Sequence, residues 1–223
     1  VRLTGSAQFA LEISSVKADV DGAGAGPLLD ARLLQFALTV YELGVYVKDV
    51  AGLKVSGQLA LASLTPVAAG DVRSWAALKM GAVTVTGDVK LGVAELTAQI
   101  VVQGLDVNLA SAPAGTTPVR LDWTKAFDLD GDGQFDDVVN PGALLPTPVN
   151  LAIDYAASLQ VRLRGTLTGT AAEATWDSNV DGDTTDATDP LANVLLKVGD
   201  VRLTGSAQFA LEISSVKADV DGA

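Results

Sequence analysis

Hydrophobic and polar residues alternate along much of the chain with a period of two, which places one face of each segment against a core and the other in water. From Leu3 the apolar positions run Leu3, Ala7, Phe9, Leu11 and Ile13, with Thr4, Ser6, Gln8, Glu12 and Ser14 between them. After Ser14-Ser15 the parity flips to Val16, Ala18 and Val20, as one extra residue at a bulge would make it do. The alternation returns at Leu53–Leu61, Val83–Leu91, Leu105–Leu109 and Ile153–Leu167. It predicts that Phe9, Leu11, Val85, Leu91, Val161 and Leu163 are core, and that Thr4, Gln8, Thr84, Lys90 and Arg164 face outward. One dry and one wet face favour antiparallel sheets. PLLDARLLQFAL (27–38) has a proline where a helix could begin, yet the alternation continuing through Val40 favours strand for 31–48, and 72–80 is open. Glycines at 5, 57, 87 and 165 fall on the apolar parity, where they bend a strand or make room for a large residue opposite. Loops are expected at 23–27, 112–117, 140–148 and 177–190.

One repeat organises the whole. Residues 1–23, VRLTGSAQFALEISSVKADVDGA, recur residue for residue as 201–223. The expected organisation is therefore one complete unit, 1–200, followed by the start of the next identical unit, 201–223. The chain opens on Val1 and its single methionine is Met80, so it is expected to start inside something longer. No uninterrupted apolar run approaches the roughly 18 residues of a membrane helix.

Composition narrows the chemistry. There is no Cys and no His, which removes disulfides, thiolate sites, cysteine nucleophiles and the commonest general base. No ordinary catalytic triad, G-x-S-x-G elbow or Walker loop can be assembled, so no enzymatic activity is expected. The net charge of −12 argues against nucleic acid as a partner. Mean hydropathy of +0.33 with 48% hydrophobic residues excludes a disordered chain. Asp outnumbers Glu 22 to 5, a bias toward turns and calcium loops. The acidity is also local: residues 122–137 hold six Asp and one Lys, and residues 177–189 hold five Asp and no base.

The first acidic loop, DLDGDGQFDD (128–137), places Asp128, Asp130 and Asp132 at alternate positions with Gly133 behind them. Gln134 would offer its backbone carbonyl, and Asp136 or Asp137 could close the sphere around Ca²⁺, which takes hard oxygen ligands. The stretch resembles the calcium loops of EF-hands, dockerins and thrombospondin type 3 repeats over about ten residues. It departs from the EF-hand where Val139 stands in place of the bidentate Glu, so flanking helices are not implied. The second loop, DSNVDGDTTDATD (177–189), offers Asp177, Asn179, Asp181, Asp183 and Asp186 around Gly182. Asp19 and Asp21 before Gly22 form a weaker candidate. Trp123 and Trp176, one ahead of each acidic loop, are placed to anchor the loop bases to the sheet.

Together these features resemble the repetitive stalk of a very large bacterial extracellular protein, an adhesin or surface fibre. That resemblance implies an all-β fold of long antiparallel strands, in a sandwich- or tube-like tandem-repeat fibre with acidic loops between strands. It also implies Ca²⁺ as the stabilising ion, neighbouring copies of the same repeat as partners, and an extracellular or cell-surface location. Two alternatives stay open: a glycan- or ligand-binding β-sandwich module of a surface protein, and an outer-membrane barrel, which would show aromatic girdles.

Overall fold

The computed structural model describes residues 1–22, 28–173, 176–177, 180, 182–183 and 191–215. Ten strands form one sheet: β1 (Arg2–Ala18), β2 (Leu29–Val47), β3 (Ala51–Pro66), β4 (Ser74–Leu91), β5 (Ala94–Ser111), β6 (Leu159–Gly169), β7 (Ala171–Glu173), β8 (Leu191–Val198), β9 (Val201–Thr204) and β10 (Ser206–Ser214). The stretch 31–48, expected as strand, lies in β2 up to Val47, and the open stretch 72–80 is strand from Ser74 onward. The order is β1-β2-β3-β4-β5-β6-β10, each neighbour antiparallel to the last, with β8 continuing the lane of β6 beside β5 and β9 pairing β8.

Bulges adjust the strands so that their faces stay in phase. One ladder row runs Gly5–Leu43–Val55–Val85–Ile100–Leu167, and another runs Phe9–Leu38–Leu59–Met80–Leu105–Leu163. Between these rows β2, β4 and β5 each carry one residue more than β1, β3 and β6, and the apolar parity of each strand slips at that point. At the bulge of β4, Ala82 takes φ 49° and Gly57 of β3, facing it, takes φ 146°.

The packed core lies on the face opposite to the one the alternation predicts. Phe9, Leu11 and Leu91 are exposed, and Val85, Val161 and Leu163 are half-buried. Thr4, Gln8 and Thr84 are half-buried too, while Lys90 and Arg164 are exposed as expected. The buried positions are Ala31, Leu33, Ala62, Leu64, Trp75 and Ala77, on the parity of small and polar residues. The reason is a second layer that is not a sheet. The irregular segment between β5 and β6 lays Leu121, Trp123, Phe127, Val139, Ile153 and Tyr155 over those alanines, which are small enough to admit the rings. The parity change after Ser15 follows from the same layer. β1 and β2 pair without a break from Ala7 to Ala18, and the bulge lies at Ser6/Ala7 instead. Val16 and Ala18 simply occupy the covered face, and Ala18 bridges to Phe127.

Asn108 pins the layer to the sheet. Its Oδ1 accepts from the Trp123 indole at 3.1 Å, and its Nδ2 donates to the carbonyls of Leu121 at 3.0 Å and Ala156 at 3.3 Å. Trp123, fully buried, also stacks at a tilt on Phe127, with centroids 5.8 Å apart. Trp123→Ala is therefore expected to cost about 3–5 kcal/mol through the cavity it leaves. Asn108→Ala should cost about 1–3 kcal/mol by stranding buried polar partners. Urea denaturation of the two variants checks both values.

Candidate metal site

The acidic loop leaves the covering layer directly after Phe127, a fully buried ring. Phe127 bridges to Ala18 on one side and to Asp137 on the other, and the Asp137 N–H donates to the Phe127 carbonyl at 3.1 Å. These two bridges close the loop at its base. Asp137 Oδ2 then accepts the N–H groups of Leu129 at 2.6 Å and Asp130 at 3.0 Å. Asp128 accepts Gly131 N–H at 2.8 Å on Oδ1 and Gly133 N–H at 3.0 Å on Oδ2. Gly131 and Gly133 sit at φ 81° and 87°, a conformation that a glycine adopts without strain.

The result is a convergence of three carboxylates. Asp128, Asp130 and Asp137 each place an oxygen within 4.8 Å of the others, with Asp130 exposed and its two partners half-buried. Three like charges at this distance repel, and a cation of hard character relieves the repulsion while matching the oxygen donors. Of the residues named from the sequence, the structure brings Asp128 and Asp130 together with Asp137. Asp132 turns outward, accepting Gln134 N–H at 2.8 Å and the Gln134 side-chain amide at 3.1 Å. Asp132 and Asp136 are not part of this three-carboxylate group.

Of the second loop, Asp177 and Asp183 are described, and Asp177 Oδ2 accepts Gly182 N–H at 2.9 Å. Asn179, Asp181 and Asp186 lie outside the described residues. Trp176 is covered by the Arg202 guanidinium, 4.7 Å from the ring centroid. Asp19, buried beside Ala18, accepts the N–H groups of Asp21 and Gly22 and is part of a turn.

A buried charged group on β5 escapes the sequence pattern. Asp106 accepts the Tyr155 hydroxyl at 3.0 Å and lies 3.5 Å from Arg162, which in turn pairs with Glu212 at 3.1 Å. Burial first, and the Asp106 charge second, push the Tyr155 hydroxyl well above its usual range. Glu173 is held below the usual carboxylate range by hydrogen bonds from Arg202 and Lys197, which tie β7 to β8 and β9. The only foretaste of Asp106 in the sequence is its place on the polar parity of β5.

Comparison with protein-family models, with curated proteins and with solved structures returned no match. Fold and loop together define an all-β antiparallel sheet domain that carries a cluster of three acidic residues able to coordinate a metal ion. Among the described residues no helix is long and apolar enough to cross a membrane.

Because Asp137 closes the loop through two backbone N–H groups, Asp137→Ala should destabilise the fold by about 1–2 kcal/mol even in chelator. Asp130→Asn removes one of the repelling charges and should be neutral or stabilising under the same conditions. Thermal melts of both variants with and without chelator separate the structural carboxylate from the ion-facing one.

Proposed function

We propose that this chain is a structural repeat of an extracellular surface fibre or adhesin stalk, and that Ca²⁺ bound by Asp128, Asp130 and Asp137 stiffens it. The observation that carries the reading is the fate of the repeated segment. The same residue string supplies β1, one outer strand of the sheet, and β9 with β10, the outer lane on the opposite side. A unit that begins and ends in the same strand is suited to serial addition, with neighbouring copies as its partners. Among the described residues the two outer lanes do not pair with each other, and an open sheet also favours extension over a ring.

Calcium fits this role by its chemistry. The loop is closed onto the covering layer by the bridges at Phe127, so an ion that quenches its repulsion would rigidify the layer and the sheet beneath it. Millimolar calcium outside cells is sufficient for loops of modest affinity. The role is mechanical, and no catalytic step is assigned to the carboxylates.

Melting the chain with Ca²⁺ and with chelator tests the ion. A cation at 100 times its dissociation constant adds about 2.7 kcal/mol to the folded state. The combined Asp128→Asn and Asp130→Asn variant should lose that gain. Superimposable melting curves of the unaltered chain in the two conditions would refute the calcium role. Isolated globules in electron micrographs of native material would refute the fibre.

A further inference from the structure

Resting on the fibre reading, we infer how one copy joins the next: the units share a single continuous β-sheet, and the free edge of β1 is the seat for β6 of the preceding copy. The argument comes from the ladder registers. Six antiparallel steps carry β1 to β10, so the two copies of the repeated segment run in the same direction. The row that leaves β1 at Phe9 arrives in β10 at Leu211, and the row that leaves at Gly5 arrives at Ala207. The rows of Thr4 and Leu11 end at Ser206 and Ile213. Every one of these rows is displaced by the repeat length plus two residues. Because the displacement beyond the repeat is even, equivalent side chains point to the same face of the sheet in both copies.

Same direction and same face fix which edge each residue addresses. In the outer lane, Gly205 offers its carbonyl to Gly169 N–H, and Ser215 donates to the Ser158 carbonyl, so odd-numbered residues address β6. Successive residues of a strand address opposite edges. Ala7, Phe9, Leu11 and Ile13 therefore turn their backbone groups away from β2, to the open side of β1, where a β6 strand would find the partner it already pairs in β10.

The side chains at the β6–β10 seam are specific to that seam. A Cβ at Gly165 would strike the Phe209 ring, so this glycine makes room for Phe209 across the pair. Arg162 pairs with Glu212, and Arg120 Nη2 donates to Ser215 Oγ at 2.6 Å. The equivalent Phe9 has no such seat beside β2 and is 70% exposed, against 38% for Phe209. The segment does differ at one point: β1 is unbroken, whereas Gly205, at φ 144°, divides β9 from β10 where the lane passes from β8 to β6. Leu203 still lands in the row of Ala51, Val89, Leu96 and Leu196, so the lane is kept. At a strand spacing of about 4.8 Å, six lanes advance the fibre by about 29 Å per unit, with the strands lying across its axis.

A chain of two consecutive units, residues 1–200 followed by 1–223, tests the seam because it holds three copies of the segment. Residue-resolved amide exchange should protect even-numbered amides in the first copy and odd-numbered amides in the last. In the middle copy both sets should be slowed by roughly 100-fold or more relative to the unprotected set in the first copy. Proline is tolerated on an edge strand where its nitrogen faces solvent and not in a sheet interior. Leu11→Pro in the first copy should thus leave the melting temperature nearly unchanged. At the equivalent position of the middle copy it should lower it by roughly 5 °C or more. A middle copy protected on one edge only, or equal effects of proline in the two copies, would overturn the shared sheet. Fibres seen in native material alongside a half-protected middle copy would mean that units meet as separate beads, so the seam fails and the fibre stands. Isolated globules alongside a fully protected middle copy would have the opposite meaning.

Discussion

Between β5 and β6 the chain runs for more than forty residues with no strand and only one 3₁₀ turn, Pro141–Leu144. Such a segment pairs its own backbone only at scattered points, such as Trp123 N–H to the Tyr155 carbonyl and Ile153 N–H to the Val139 carbonyl, so its place over the sheet also depends on polar contacts made inside the core. Asn108 supplies them. One side chain on a central strand holds an indole and two carbonyls, and the indole in turn orders Phe127, the last residue before the acidic loop. Geometry at the carboxylates is thus inherited from an amide on the sheet. Tyr155, bonded to the Leu78 carbonyl and to Asp106, fixes the far end of the same layer.

The strands were legible because a period of two survives any change of neighbour, and even the bulges left a trace as slips in apolar parity. What the alternation could not reveal was which face would be covered. Large aliphatic side chains mark the face of Phe9, Phe36 and Leu61, yet burial fell to the face of Ala31, Ala62 and Ala77. An irregular layer carries no periodicity of its own, so nothing in the segment announces that its aromatic residues will use those small positions as sockets. The acidic loop was legible for the opposite reason: a local motif with glycines at fixed offsets needs little from the rest of the chain. The choice of Asp137 over Asp136 was not local, because it is made by the bridge to Phe127. Asp106 gave no local sign either, since a carboxylate on the polar parity reads as solvated until Tyr155 and Arg162 are brought over it from elsewhere in the chain.

The two faces of the sheet consequently differ in kind. One is a mixed, hydrogen-bonded interior in which Trp123, Asn108, Asp106 and Tyr155 interlock. The other is a broad aliphatic surface on which Leu43, Val45, Leu53, Ile100 and Leu109 remain substantially open to solvent. Surfaces of this extent are uncommon on isolated soluble domains. In lanes at the middle of the sheet the same side chains shelter one another across the ladder, whereas at the outer lanes, around Phe9 and Leu211, they have a neighbour on one side only.

The bulges of β2, β4 and β5 have a consequence for insertions into the strands. Adding one residue to the middle of a strand turns everything beyond it to the wrong face, unless a bulge takes up the extra residue and the apolar parity slips with it, as in these three. A single extra residue elsewhere in the sheet is thereby expected to be costly. A one-residue insertion in a strand of this sheet thus acts on a whole face at once, whereas the same insertion in a connecting loop leaves both faces as they are.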